Sequence, residues 1–172
     1  CDGAFYPDKQ VVVIGGGDTA MEDASFLKKF TRKITIIHIL DKFTASHAMQ
    51  ERVLKDPDIT IYYNSTATEF HGNGQHVTRL TMVNQLTGEK TQLDADGVFI
   101  AVGLNPNSEP FRSHLTCNKG GWLDTKDNVS TAIPGVFVAG DVHDYRYRQA
   151  ITSAGAGCMA ALDAERYLSE VL

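Results

Sequence analysis

Four β-branched residues in a row, Val11-Val12-Val13-Ile14, run straight into three glycines, and apolar or small residues then recur at Ala20, Met21, Ala24 and Leu27. That order predicts a short buried strand, a tight turn and a helix over residues 19–30. The ten residues before the strand, broken by Gly3 and Pro7, read as a turn-rich lead-in. A second apolar run, 34–40, is continuous rather than alternating, as in a parallel strand covered on both faces. Residues 41–54 predict a helical crossover that stops before Asp56-Pro57, and 59–63 a third strand. Three antiparallel strands follow at 67–71, 78–84 and 90–93, separated by Gly72-Asn73-Gly74 and Thr87-Gly88. Residues 98–102 return as a strong apolar strand.

The glycine positions Gly15, Gly16 and Gly17 with Ala20 fit G-x-G-x-x-A, the fingerprint of a dinucleotide-binding strand–turn–helix unit. Gly15 permits the tight turn. Gly17 lets the backbone approach a pyrophosphate with no Cβ in the way, and Ala20 lets the helix pack close to the strand. The helix N-terminus offers unpaired N–H groups and a partial positive charge to phosphates. Asp18 and Thr19 open that helix, and two roles stay open for them: holding the pyrophosphate side, or serving as ordinary first-turn residues. Val102, at the end of the last strand, and Gly103 just after it complete the candidate nucleotide contacts. The expected fold class is α/β: a Rossmann-like three-layer domain with an inserted antiparallel β-meander, complete by Gly103.

The segment 105–110, with Pro106 and Pro110, reads as a boundary. Beyond it the pattern thins to one short strand, Val136-Phe137-Val138-Ala139, and a helix over 149–172. One strand and one helix cannot bury a core, so residues 104–172 are expected to be the C-terminal part of a second domain. Their apolar face (Val136, Val138, Ile151, Leu162 and Leu168) would be exposed in a monomer. A chain that opens on Cys rather than Met reads as a piece of a longer protein. A formal charge of -5 gives no nucleic-acid footprint, and no apolar run is long enough to span a bilayer. With no signal peptide and three cysteines without metal-ligand spacing, the expected setting is reducing and cytoplasmic. Cys158 reads as a core residue and Cys117 as a loop thiol, while His47, His71, His76, His114 and His143 form no metal pattern.

Several stretches together resemble one family. Cys1-Asp2-Gly3 resembles the end of a C-x-x-C-D-G redox motif, Gly15 to Ala20 a nicotinamide-nucleotide loop, and Gly135-Val136-Phe137-Val138-Ala139-Gly140-Asp141 with Tyr147-Arg148-Gln149-Ala150 a flavin-contacting tail. The family is low-molecular-weight thioredoxin reductase, an FAD-dependent pyridine nucleotide-disulfide oxidoreductase. The resemblance implies that residues 1–103 are the nicotinamide-nucleotide domain, with a redox-cysteine remnant, and 104–172 the C-terminal part of the FAD domain. By the same resemblance Cys1 is the second redox cysteine and Asp2 the acid/base beside it. Gly140 and Asp141 would meet the ribityl chain of FAD, and Arg148, Gln149 and Ala150 the isoalloxazine ring. Electrons would pass from NAD(P)H or another donor through FAD to the disulfide and then to thioredoxin. The parent would be a homodimer, and the chain alone inactive.

At the end of the second strand, NADPH-dependent members carry His-Arg-Arg and a further Arg four residues on. This chain has His38-Ile39-Leu40 and Thr44 there. His38 stands where NAD enzymes have an acidic residue, or else is a packed strand-end histidine. Lys42 is a point charge, not a bidentate clamp. No preference for NADP is therefore expected, and nothing singles out NADH. Two other readings remain: a ferredoxin/flavodoxin–NADP reductase of similar architecture, against which Cys1-Asp2-Gly3 counts, and a nucleotide-binding module without catalysis.

Overall fold

The computed structural model describes residues 2–171. They form two compact units, one up to Gly103 and one from Leu104 onward. In the first, a one-turn helix at Asp2–Phe5 leads into β1 (Gln10–Ile14), α1 (Asp18–Leu27), β2 (Lys33–Ile37), α2 (His47–Leu54) and β3 (Ile59–Tyr62). A meander of β4 (Ser65–Gly72), β5 (Val77–Asn84) and β6 (Lys90–Asp94) follows, and β7 (Gly97–Ile100) closes the unit.

β1, β2, β3 and β7 make one parallel sheet in the order β3-β2-β1-β7, and the meander is a separate antiparallel sheet. The alternation along β1 assigns the layers. Val11 and Val13 pack with Ala20, Met21, Ala24 and Leu27 of α1 and Val53 of α2. Val12, with Ile14 beside it, packs toward Leu80, Met82 and Leu93 of the meander. The result is helices, parallel sheet and antiparallel sheet stacked in three layers, the α/β architecture expected of a Rossmann-like domain. Burying both faces of β1 and β2 accounts for their continuous apolar runs.

Several boundaries differ from the expectations. α1 ends at Leu27 rather than residue 30, because the N–H of Lys29 and Phe30 turn to 3-residue bonds with Phe26 and Leu27. β2 stops at Ile37, not Leu40, because its neighbours stop there: Ile37 is the last residue paired with Ile14 of β1 and Tyr62 of β3. β7 likewise ends at Ile100, opposite Ile14. The crossover expected as a helix over 41–54 is helical only from His47, and 39–46 is an open loop.

In the second unit Leu115, Leu123 and Val138 form a small core with Cys117 and Val142 against it, so Val138 is buried rather than exposed. The strand expected at 136–139 is reduced to a single bridge, Ser130↔Phe137, because the facing segment pairs only through Val129 and Thr131. α3 (Ala150–Val171) has no buried residue. Cys158 on that helix is exposed, which corrects its reading as a core residue, and Ile151, Leu162 and Leu168 are exposed as well.

Candidate nucleotide and flavin sites

The strand order places the chain's reversal between β1 and β7: from β1 the chain goes first to β2 on one side and returns as β7 on the other. Ligands in open α/β sheets sit outside the C-terminal strand ends at such a switch point. A cavity of about 450 Å³ lies there, lined by Gly15, Gly16, Gly17, Thr19, His38, Thr44, Val102 and Gly103, with Ile14, Ile37 and Ala101 beneath.

The three glycines do different work. At Gly15 φ is +143°, and a Cβ would stand 2.2 Å from the Ala101 carbonyl oxygen, so the backbone just past β7 runs directly over this residue. At Gly16 a Cβ would fall 2.3 Å from His38 Nδ1. At Gly17, the N-cap of α1, the nearest atom to a Cβ is Thr44 Oγ1 at 3.8 Å. The first two are glycine because the protein itself occupies the space. The third faces open space, as an approaching pyrophosphate requires, and the N–H groups of α1's first turn have no intrahelical acceptor. Ala20 is fully buried, its methyl 3.3 Å from a Cβ at Gly15. The cavity therefore has the cradle and the donor set for a dinucleotide phosphate.

The loop 39–46 is fastened to this glycine turn. The Gly16 carbonyl accepts three donors: the N–H of Thr44 at 2.9 Å, the N–H of Ala45 at 3.1 Å and the Thr44 hydroxyl at 3.2 Å. Because a peptide group is planar and trans, this fixes the Gly17 N–H on the opposite side of the same plane. The Asp18 carboxylate accepts the Ser46 N–H at 2.7 Å, so it ties α1 to the start of α2. Thr19 lines the cavity. His38 lies one residue past β2, is buried, and contacts the Lys42 carbonyl through Nε2 at 3.0 Å. It is placed as a packed strand-end histidine whose ring also borders the cavity. Lys42 is exposed and is not among the lining residues; no Arg or Lys is. The Thr44 and Asp18 ties were not read from sequence, where nothing marks a hydroxyl or carboxylate as bound to a distant loop.

In the second unit Gly140 has φ +84° and open space at its Cβ position, the nearest atom being Ser153 Oγ at 3.9 Å. Asp141 is exposed and accepts the Ser153 hydroxyl at 3.1 Å. Arg148 is half-buried with φ +50°, the Gln149 N–H donates to the Thr152 hydroxyl, and Ala150 is the helix's first residue. Gly140, Asp141 and the start of α3 thus come together through Ser153, offering an acceptor and a set of N–H donors that fit a flavin's hydroxylated chain and ring edge. Asp2 lies on the one-turn helix at Asp2–Phe5, and Cys1 lies outside the described residues.

These features define an α/β chain whose glycine loop has the form of a dinucleotide-binding turn. Residues 2–157 match the family model described as pyridine nucleotide-disulphide oxidoreductase, and the chain belongs to that family. It is 50% identical over 170 residues to the thioredoxin reductase of Streptomyces clavuligerus, covering 98% of this chain and 52% of that protein. It is 47% identical to thioredoxin reductase 2 of Arabidopsis thaliana, covering 99% of this chain and 46% of that one. The crystal structure of thioredoxin reductase from Streptococcus pyogenes MGAS5005 superposes with a TM-score of 0.88 at 35% identity, over 99% of this chain and 56% of that one. The chain spans about half the length of the curated relatives it matches. The thioredoxin reductase family depends on FAD and uses NADPH.

Proposed function

We propose that this chain supplies the nicotinamide-nucleotide domain (1–103) and the C-terminal part of the FAD domain (104–172) of a thioredoxin-disulfide reductase. The enzyme passes reducing equivalents from NAD(P)H through FAD to a C-x-x-C disulfide and on to thioredoxin or a similar dithiol protein, working as a homodimer in the cytoplasm. One observation carries the reading. A chain matching thioredoxin reductases over 98% or more of its length keeps both the open glycine cradle and the Gly140-Asp141 turn joined to the start of α3. No helix among the described residues is long and apolar enough to cross a membrane.

The residues take distinct parts. Gly15 and Gly16 shape the turn, while Gly17 and the first turn of α1, with Thr19, receive the pyrophosphate. Val102 and Gly103 form the far wall of the cavity. Asp141 accepts from a ribityl hydroxyl, and the Arg148-Gln149-Ala150 segment presents N–H groups to the ring edge. Bound flavin supplies two-electron transfer between a hydride donor and a disulfide. Cys1 serves as the flavin-side thiol, and Asp2 manages its proton. With no cation on the cavity wall, NADPH and NADH bind with similar affinity.

The test is donor oxidation by the FAD-loaded protein that carries this chain, with and without thioredoxin. Thioredoxin-dependent turnover is expected. Flavin reduction with no dithiol turnover would move the assignment to a ferredoxin/flavodoxin–NADP reductase, and absence of any flavin to a binding module.

A further inference from the structure

One carboxylate in the second unit gathers four donors. Asp144 Oδ1 accepts the N–H of Arg146 at 3.0 Å and of Tyr147 at 2.8 Å. Its Oδ2 accepts the N–H of Arg148 at 2.9 Å and lies 3.0 Å from the Thr152 hydroxyl. That hydroxyl is also 2.8 Å from the Gln149 carbonyl, so its single proton serves one acceptor or is shared, and its oxygen accepts the Gln149 N–H at 3.3 Å. The Asp144 N–H itself goes back to the Gly140 carbonyl at 3.0 Å. Asp144 therefore links Gly140 through its backbone N–H, and the turn 146–148 and the first turn of α3 through its carboxylate.

The backbone it holds is strained. Among the described residues three non-glycine residues have positive φ: Asp8, Asn64 and Arg148. Asp and Asn tolerate the left-handed region, whereas Arg has no local hydrogen bond of its own to offset the Cβ clash. The seven other positive-φ positions among the described residues are glycine. Keeping Arg at 148 requires an external anchor, and the anchor is the Arg148 N–H on Asp144. Partial burial pushes the Asp144 carboxyl up, but the N–H groups of Tyr147, Arg148 and Arg146 together outweigh it and hold it below the usual carboxylate range.

We propose that Asp144 is a positioning residue for the flavin site: it absorbs the N–H groups of 146–148, pins Arg148 in the left-handed region, and thereby aims the first turn of α3, with its unpaired N–H groups, at an electron-rich acceptor. The proposal rests on the flavin reading of this segment. Strained residues that their surroundings over-determine cluster at such ligand clamps.

Asp144→Asn is the discriminating substitution. It keeps one oxygen for Arg146 and Tyr147 but sets an NH2 group against the Arg148 N–H. Asp144→Ala removes all four bonds, and Thr152→Val removes only the hydroxyl. FAD itself is the probe, titrated into the flavin-free protein that carries this chain. The readouts are the dissociation constant, the visible flavin bands and exchange of the Arg148 amide, with circular dichroism as the folding control. Expected for Asp144→Asn are FAD binding weakened about tenfold, shifted flavin bands and faster Arg148 exchange at unchanged helix content. Thr152→Val falls between wild type and Asp144→Ala. Wild-type FAD affinity and spectrum in both Asp144 variants would overturn the proposal. So would a loss of FAD that merely tracks unfolding and vanishes at a temperature where the variant is folded. If wild type binds no FAD at all, the flavin reading falls with it; if wild type binds and the variants bind equally, only the positioning role falls.

Discussion

Replacing Gly15 and Gly17 by alanine separates the two jobs of the glycine loop. At Gly15 the new Cβ meets the Ala101 carbonyl oxygen at 2.2 Å and its carbon at 2.8 Å, both backbone atoms of the segment that continues β7. A left-handed L-residue costs about 1–2 kcal/mol. Relieving a contact that short by moving one strand end against another in a packed sheet costs about 1–3 kcal/mol more. Gly15→Ala should therefore destabilise by about 2–5 kcal/mol, a large share of a typical domain's 5–15 kcal/mol. At a slope of about 2 kcal/mol/M in urea, the unfolding midpoint falls by about 1–2.5 M. Gly17 has φ -89° and no atom within 3.8 Å of its Cβ position, so alanine there loses only the N-cap preference, under about 1 kcal/mol. Its cost falls on the ligand, and NAD(P) affinity should drop at least about tenfold because the Cβ occupies the pyrophosphate's approach. Urea melts of the chain and nucleotide titration give both numbers. Equal midpoint shifts for the two variants, or unchanged nucleotide affinity in Gly17→Ala, would refute the division of labour.

Three further outcomes are expected. Lys28 Nζ donates to Asp56 at 2.8 Å and to Asp58, all three side chains being less than a third exposed; Lys28→Met should cost about 1 kcal/mol in urea melts at neutral pH. The hydrogen bond donated by Lys28 holds the Asp56 carboxyl low, and the bonds Lys28 makes to Asp56 and Asp58 hold its own value high. This contribution is complete between the two unfolded-state values, fades as pH falls below about 4 through the depressed Asp56 value, and fades again as pH rises above about 10; a melt series in which Lys28→Met costs as much at pH 2 as at pH 7 would contradict it. Titration with NADP and NAD should show less than about tenfold discrimination, roughly 1.4 kcal/mol, and a stronger preference for NADP would mean a cation outside the cavity wall reaches the 2′-phosphate. Amides along α3, which has no buried residue, should exchange well before those of β1, and equal protection would show that α3 has a complete core of its own.

The first unit was largely legible because its cues are local. A β-branched run, a glycine turn and a 3.6-residue apolar period change one into the next within Val11 to Leu27, and each change has one physical reading. The meander was legible for the same reason, through the turn signals Gly72-Asn73-Gly74 and Thr87-Gly88. The Asn73 side-chain oxygen closes the first turn, while the same role of Asn84 in the second was not read from sequence. What failed depended on partners. Ile39 and Leu40 continue the apolar pattern of β2, but pairing ends where β1 and β3 end, and both side chains are left about half exposed. Cys158 sits in a run of small residues at helical spacing, which describes a packing face without saying that anything packs on it.

The cofactor loop shows the same limit at the level of chemistry. Read along the chain, Thr44 is an absence: the position where an arginine would grip a 2′-phosphate. In the fold it is a contact, one of two donors from the same residue that hold the Gly16 carbonyl and so set the direction of the Gly17 N–H. Installing arginines by Leu40→Arg with Thr44→Arg should raise NADPH efficiency in the protein that carries this chain, yet it also removes the hydroxyl from that carbonyl. The N–H bonds from residues 44 and 45 remain, so the turn should survive with a loss of about 1 kcal/mol. The two effects are separable, since Thr44→Val carries the stability loss without the new charge. If Thr44→Val alone weakens NAD and NADP equally while leaving the fold intact, the hydroxyl acts through the glycine turn. If it changes neither, the backbone N–H groups suffice, and residue 44 is open to selection for the 2′-position alone.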